Sequence, residues 1–168
     1  MSENDIIDLQ IVELLMEDGR LPAAEVARRV GGGISERVAR YRINRLLNDK
    51  VIQIRPIINP QAFGMTTRAD VVLEVEADSI MDVAHKAMEF DCVSYVACSI
   101  GEMDVSIQVL AKDTAEIYRF VTEVIGRLPG VRKTTTSIVP IVLKDVYQWH
   151  IPRRFYVDKT RKAGKIGY

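Results

Sequence analysis

The spacing of apolar residues changes near Asn59-Pro60, and this change constrains the fold more than any other feature of the chain. Before it, apolar residues recur every three or four positions, which is typical of helices. From Thr66 onward, stretches that alternate like strands are separated by two helical stretches. Because 168 residues can form two small cores, we predict domains over residues 1–60 and 61–145, then a C-terminal tail over residues 146–168.

Three short helices are predicted in the first domain. The first covers residues 5–17 with Asp5 as its cap, and the second covers residues 23–30. A triple glycine at residues 31–33 makes a sharp turn, after which Ser35 can cap a third helix that runs to about residue 48. Two helices, a tight turn and a third helix form a helix-turn-helix.

A short β wing is predicted directly after the third helix. Residues 51–54 and 57–58 are apolar and β-branched in large part, and Arg55 lies between them. The first domain is therefore expected to be a winged helix-turn-helix.

The zero net charge of the chain conceals an uneven distribution. Residues 1–27 contain one arginine against seven acids, a net charge of −6, whereas residues 28–55 contain eight bases against two acids, a net charge of +6. Seven of those eight bases are arginine, whose planar donor fork suits phosphates and guanine edges better than lysine does. This imbalance favours a surface that binds double-stranded DNA.

One face of the predicted third helix has the chemistry of a major-groove reader. Arg37, Arg40, Tyr41 and Asn44 recur at helical spacing, so they share one outward stripe. Arginine pairs with guanine and asparagine with adenine, so we expect these residues to contact base edges. The leading end of the stripe is formed by Ser35 and Glu36, and the expected phosphate contacts are Arg28, Arg42, Arg45 and Arg55.

The second domain is expected to be α+β. Its predicted order is strand, helix, strand, strand, helix, strand, which is the ferredoxin-like βαββαβ arrangement, with a helix over residues 114–128 and a last strand over residues 131–143. Both helices would cover one sheet face. The other face is expected to display Val72, Val96, Cys98 or their neighbours, and we predict that a second copy packs on it to form a homodimer.

The order of these elements resembles the Lrp/AsnC family of bacterial and archaeal transcription regulators. The resemblance covers about residues 5–145 and departs from the family in its longer triple-glycine turn. It depends on residues 8–15 (DLQIVELL), 18–21 (DGRL), 42–46 (RINRL) with 51–52 (VI), 101–104 (GEMD) and 128–131 (LPGV).

The resemblance implies a regulator of transcription whose assembly or DNA contacts respond to an amino acid or a related metabolite. It further implies dimers that often assemble into tetramers or octamers, with the effector bound between dimers. The expected effector-binding residues are Gly101, Glu102 and Asp104 in the hairpin loop, and Thr136, Ser137 and Val139 in the last strand. A solvated hairpin turn is the alternative for the loop.

Other classes of function are disfavoured. No apolar run is long enough for a membrane span and the start lacks the pattern of a secretion signal, so a cytoplasmic protein is expected. Neither a metal site nor a cofactor is expected. Decarboxylases of haem precursors that resemble the family use a histidine in the second strand, but residues 93–99 contain none. An architectural DNA-binding protein of low specificity stays as an alternative.

The last 23 residues depart most clearly from the family. Residues 146–168 contain six bases against one acid, together with aromatic residues. Contact with DNA, docking on a neighbouring subunit and a solvated terminus are all compatible with this composition.

Overall fold

The structure, a computed structural model, describes residues 6–152. These residues divide into two compact units, one formed by residues 6–57 together with 145–152 and the other by residues 58–144. The predicted cap Asp5 and most of the predicted tail lie outside the described residues.

The first unit contains three helices, α1 (Ile6–Glu17), α2 (Ala23–Val30) and α3 (Glu36–Asn48). Their apolar faces form one small core, which consists of Ile11, Val12, Val26, Ala27, Ala39 and Leu46. As predicted, α3 begins directly after Ser35, whose hydroxyl accepts a hydrogen bond from the backbone N–H of Val38 at 3.3 Å.

The turn between α2 and α3 requires glycine. Gly31, Gly32 and Gly33 have φ angles of +70°, +63° and +78°, a left-handed conformation that side chains disfavour. Three such residues in succession reverse the chain and place Ser35, the N-cap residue of α3, two residues after the last glycine.

The predicted β wing is wrong. Residues 52–59 contain no strand. A two-residue hairpin there would turn at Arg55-Pro56. Proline cannot adopt the positive φ that a type I′ turn needs at its second central residue, and a type II′ turn needs a positive φ at Arg55, where glycine is preferred. An isolated two-stranded hairpin is also only marginally stable in water.

The second unit is the predicted α+β domain. Its elements are β1 (Thr67–Val75), α4 (Ile80–Met88), β2 (Val93–Cys98), β3 (Val105–Ala111), α5 (Thr114–Arg119) and β4 (Val131–Ile138). The four antiparallel strands have the order β2-β3-β1-β4, which is the ferredoxin-like order. The core lies between the sheet and the helices and includes Val71, Leu73, Ile107, Ile117 and Ile125.

Two predicted elements differ in extent. The helix predicted over residues 114–128 continues from α5 as a π turn (Phe120–Val124) and a 3₁₀ turn (Ile125–Arg127). Thr122 donates its hydroxyl to the Tyr118 carbonyl at 2.8 Å, a contact that competes with regular helix hydrogen bonds. The last strand ends at Ile138, shortly before Pro140, which has no N–H to donate to a ladder.

The predicted composition of the open sheet face also needs correction. Val96 is paired with Ile107 and Cys98 with Val105, so both lie on the face that the helices cover. The Cys98 thiol lies 4.0 Å from the sulfur of Met81 in α4. Val72 does lie on the open face, between Ser106 and Thr135. The prediction failed because the register of β2 is shifted by an irregularity between Val93 and Tyr95.

Gly130 is expected to be sensitive to substitution. Its φ is +89°, and a Cβ atom would lie 2.4 Å from the Cβ of Ser79. We expect Gly130→Ala to destabilise the second unit by about 2 kcal/mol, through left-handed strain together with the steric clash. Gly64→Ala is the matched control, because Gly64 has a similar φ of +79° and no neighbour within 4 Å. Equal melting temperatures for the two variants would contradict the steric part of this prediction.

Candidate nucleic-acid interface and effector site

The predicted recognition stripe is exposed on α3. Arg37, Arg40, Tyr41 and Asn44 are all solvent-exposed, and Tyr41 has 67% of its surface accessible. An open depression of about 450 Å³ at the start of the helix is lined by Ser35, Glu36, Arg37 and Arg40. The structure therefore brings the predicted base-contacting residues together on one accessible surface.

Glu36 modifies the charge of this stripe. Its carboxylate accepts a hydrogen bond from the Arg40 guanidinium one helical turn later. The Arg40 side chain is 65% exposed and the Glu36 side chain is 49% exposed. Because water screens such a pair, it is weak and can be exchanged for a contact with DNA.

Arg42 and Arg45 have a different partner from the phosphates that the sequence suggested. Asp8 in α1 is buried, and its two carboxylate oxygens accept hydrogen bonds from the Arg42 Nη1 at 2.9 Å and from the Arg45 Nη2. The Arg42 side chain is only 19% exposed. These two arginines connect α1 to α3, which gives them a structural role and argues against a primary role in holding phosphates.

Sequence reasoning counted Asp8 only as part of an acidic segment. A signal was present, because Asp8 lies at helical spacing from Ile11 and Val12 and so shares their buried face. An acid within an apolar stripe needs a partner, and α3 offered Arg42 and Arg45, which lie four residues and one residue before the core residue Leu46.

Arg28 is also engaged within the unit. Glu25 accepts from the Arg28 Nε at 2.8 Å and Nη2 at 2.6 Å, and from the Arg29 Nε at 3.0 Å. The hydrogen bonds from Arg28 and then Arg29 lower the pKa of Glu25 to about 2. Glu25 is thus ionised at neutral pH and offsets part of the positive charge of α2. Arg55, the remaining expected phosphate contact, is exposed.

We expect Glu25→Gln to strengthen binding to any DNA sequence. Loss of the carboxylate frees the guanidinium of Arg28 and leaves Arg29 paired with Glu17 alone, so affinity should rise about two- to fivefold and the dependence on salt should become steeper. Binding titrations on an unrelated duplex at two salt concentrations measure both effects. Glu13→Gln, which removes an exposed acid from α1, is the control. Unchanged affinity for Glu25→Gln would place Arg28 and Arg29 outside the interface.

The predicted effector residues fall into two groups. Asp104 directly precedes β3, and its carboxylate accepts a hydrogen bond from the Val75 N–H at 2.7 Å, while its own N–H donates to the Leu73 carbonyl. Gly101 has a φ of +141°, and Glu102 beside it is exposed. This group therefore lies at the C-terminal end of β1.

The other group extends from the middle of β1 towards its N-terminal end. The Val139 N–H donates to the Arg68 carbonyl at 2.8 Å, and Thr136 and Ser137 pair with Val71 and Asp70. Arg68 and Leu73 are five residues apart, or about 17 Å along a strand. Thr136 and Ser137 also point to opposite faces of the sheet. One chain does not bring the six residues into a single pocket.

Comparison with known proteins agrees with both units. Residues 5–47 match the AsnC-type helix-turn-helix domain, and residues 68–148 match the Lrp/AsnC ligand binding domain. An HTH-type transcriptional regulator of Pyrococcus horikoshii is 33% identical over 91% of this chain and 94% of its own length. The chain belongs to the Lrp/AsnC family.

Two further relatives of this Lrp/AsnC protein extend the comparison. The HTH-type transcriptional regulator FL11 of Pyrococcus abyssi is 31% identical over 80% of the chain and 88% of its own length. A transcriptional regulator of Neisseria meningitidis, solved as a complex with L-Met, has the same fold, with a TM-score of 0.82 and 22% identity over 91% of the chain and 99% of its own. The Lrp/AsnC chain described here is thus a transcriptional regulator with a DNA-binding domain and a ligand-binding domain.

No helix within residues 6–152 of this Lrp/AsnC protein is both long enough and apolar enough to cross a membrane.

Proposed function

We propose that the protein is a cytoplasmic, non-enzymatic regulator that reads specific operators through α3 and responds to an amino acid. The observation that supports this best is the exposed stripe on α3, which consists of Arg37, Arg40, Tyr41 and Asn44. It follows directly after Ser35, the N-cap residue of the helix. Arginine and asparagine at one-turn spacing match the donor and acceptor pattern of guanine and adenine in the major groove. The phosphate contacts are proposed to come from Arg28 and Arg55.

A two-fold assembly is part of the proposal. Two copies of α3 would read two half-sites, and the second contact then benefits from a high effective concentration. The open face of the sheet has Tyr95, Val72 and Leu110 among polar neighbours, and Ile100 in the hairpin loop is fully exposed. These apolar groups support association through the second unit.

The effector is proposed to bind between chains. Asp104 and Val139 bond to residues of β1 that lie about 17 Å apart along the strand, and Thr136 and Ser137 point to opposite faces of the sheet. A pocket that uses all of these residues therefore needs a second copy. The L-Met complex of the Neisseria relative supports an amino acid as the ligand. Calorimetric titration of L-methionine and of a pool of amino acids, at several protein concentrations, tests this idea. Binding that is independent of protein assembly would exclude a site between chains.

A gel-shift titration tests the proposed function as a whole. The full chain is titrated on its own upstream DNA and on scrambled DNA, at two salt concentrations, with and without amino acids. We expect salt-sensitive binding with preference for the upstream DNA and a change on adding the pool. Equal binding to both duplexes would favour the architectural alternative. Absence of binding at low salt would contradict DNA binding altogether.

A further inference from the structure

Two sulfur groups and an imidazole lie on one side of the contact between α4 and β2. The thiol of Cys98, the last residue of β2, lies 4.0 Å from the sulfur of Met81. His85 follows Met81 by four residues on α4, so the two side chains leave the helix on the same face. All three residues are solvent-exposed, so an ion from solution can reach them without opening the core.

The packing of α4 explains why these side chains stay at the surface. The helix contacts the sheet through Val83, Ala84 and Ala87, which are buried. Met81 and His85 lie beside that buried stripe, and β2 is an edge strand of the sheet. The three side chains therefore lie at the rim of a packed contact, where two regular elements hold the ligand-bearing backbone in place.

The separation of the two sulfur atoms is that of two ligands on one metal ion. Metal–thiolate bonds are about 2.3 Å long, so two sulfur ligands at the angles of a trigonal site lie about 4.0 Å apart. The distance between the Cys98 and Met81 sulfurs is 4.0 Å. The third ligand of a trigonal site is available one helical turn from Met81, because Cβ atoms four residues apart on a helix are separated by about 5–6 Å. That ligand is the imidazole of His85.

The types of ligand select the metal. Thiolate and thioether groups are soft ligands that favour Cu(I), and imidazole also suits copper. Zinc is bound by thiolates, imidazoles and carboxylates, and thioethers are not among its usual ligands. Within residues 6–152, no three His, Cys, Asp or Glu side chains group into a metal site. The expectation that the chain lacks a metal site depends on the spacing of cysteines and histidines alone, whereas the sulfur of Met81 joins Cys98 only through the fold.

We propose that Cys98, Met81 and His85 form a binding site for one Cu(I) ion. On binding, the Cys98 sulfur loses its proton to solvent and donates the freed electron pair to copper. Copper stays monovalent throughout, so no oxidant or reductant takes part. The negative thiolate balances the charge of the ion, and the two neutral ligands complete the site. None of the three side chains belongs to the proposed DNA or effector contacts, so the site is independent of the proposed function.

Anaerobic competition with bicinchoninate, a chelator that is coloured when it holds Cu(I), tests the site in the full chain. The natural chain should withdraw one Cu(I) ion per chain, and more tightly as pH rises, because binding releases a proton. Loss of an outer-shell partner alone weakens metal binding about 10- to 100-fold, so Cys98→Ser, Met81→Leu and His85→Gln should each weaken it at least that much. A natural chain that leaves all copper on the chelator would overturn the proposal.

The chain offers a matched control for each sulfur ligand. Met88→Leu removes a thioether that is 66% exposed on the same helix, but seven residues from Met81, or about 10 Å along the axis. Cys92→Ser removes the other cysteine, and burial raises the pKa of the Cys92 thiol, which disfavours the thiolate that metals bind. Both controls should keep the affinity of the natural chain. If either control weakened binding as much as the corresponding ligand variant, the assignment of the site would be wrong.

X-ray absorption of the copper-loaded chain identifies the bound atoms directly. We expect two sulfur ligands and one nitrogen ligand. A spectrum with sulfur ligands alone, or unchanged affinity in the His85→Gln chain, would overturn the three-coordinate site. Thermal denaturation of each variant without copper separates loss of a ligand from loss of the fold, and we expect little change because all three side chains are exposed.

Discussion

Asp8→Ala is expected to destabilise the DNA-binding unit by about 3 kcal/mol. Asp8 is buried, and its removal leaves the guanidiniums of Arg42 and Arg45 without the carboxylate that pairs with both. Breaking a buried ion pair costs about 3–5 kcal/mol, and the lower end applies here because the Arg45 side chain is 39% exposed. A core made of six buried residues has little stability in reserve.

Thermal denaturation and hydrogen exchange measure this effect. For a unit of this size the melting temperature should fall by more than 10 °C, at roughly 4–8 °C per kcal/mol, and exchange should accelerate in α1 and α3 but not in β1. Asp18→Asn is the matched control, because its pair with Arg20 is solvent-exposed and should contribute less than about 1 kcal/mol. A melting curve of Asp8→Ala that superimposes on that of the natural chain would show that the buried pair is dispensable.

The second large effect is expected on DNA affinity. Arg40→Ala combined with Asn44→Ala removes two exposed side chains from the middle of the recognition stripe without touching the core. Each base contact contributes about 1–3 kcal/mol, so the double variant should bind its operator with about 2–6 kcal/mol less free energy, roughly 30-fold to 10⁴-fold more weakly. Binding to scrambled DNA should change far less, because phosphate contacts are kept.

The single variants and a surface control make this prediction specific. Arg40→Ala alone should relax preference at one position of the operator, as should Asn44→Ala at another, which a library of operator variants would detect. Arg20→Ala removes an arginine that is 92% exposed and lies outside α3, so it should leave the preference unchanged. If the double variant kept both affinity and preference, α3 would not be the reading element.

The functional surfaces were predictable to different degrees. The recognition stripe depends on helical spacing and on exposure of polar residues, both of which follow from local sequence, and all four of its residues lie where the spacing predicted. The roles of Arg42 and Arg45 depend on Asp8, which lies 34 and 37 residues away in the chain. Their charge was visible in the sequence, whereas their partner was not.

The arrangement of the effector residues in the sheet was likewise not predictable from the sequence. The hairpin loop and the last strand were both identified from sequence, but strand register decides which residues face each other. The structure places Asp104 beside Val75 and Val139 beside Arg68, at opposite ends of β1. No sequence pattern within either segment predicts how far apart Asp104 and Val139 lie along β1.

Apolar periodicity, caps and turn residues by themselves determined the helices, the strands, their order and the ferredoxin-like class, because these depend on interactions within a few residues. Only the tertiary structure decided that Val96 and Cys98 lie on the sheet face that the helices cover, that Asp8 is shared by two arginines and that Ile151 packs against the core of the DNA-binding unit. Each of these depends on a contact between distant parts of the chain, and a one-dimensional pattern specifies which faces are apolar without specifying what they pack against.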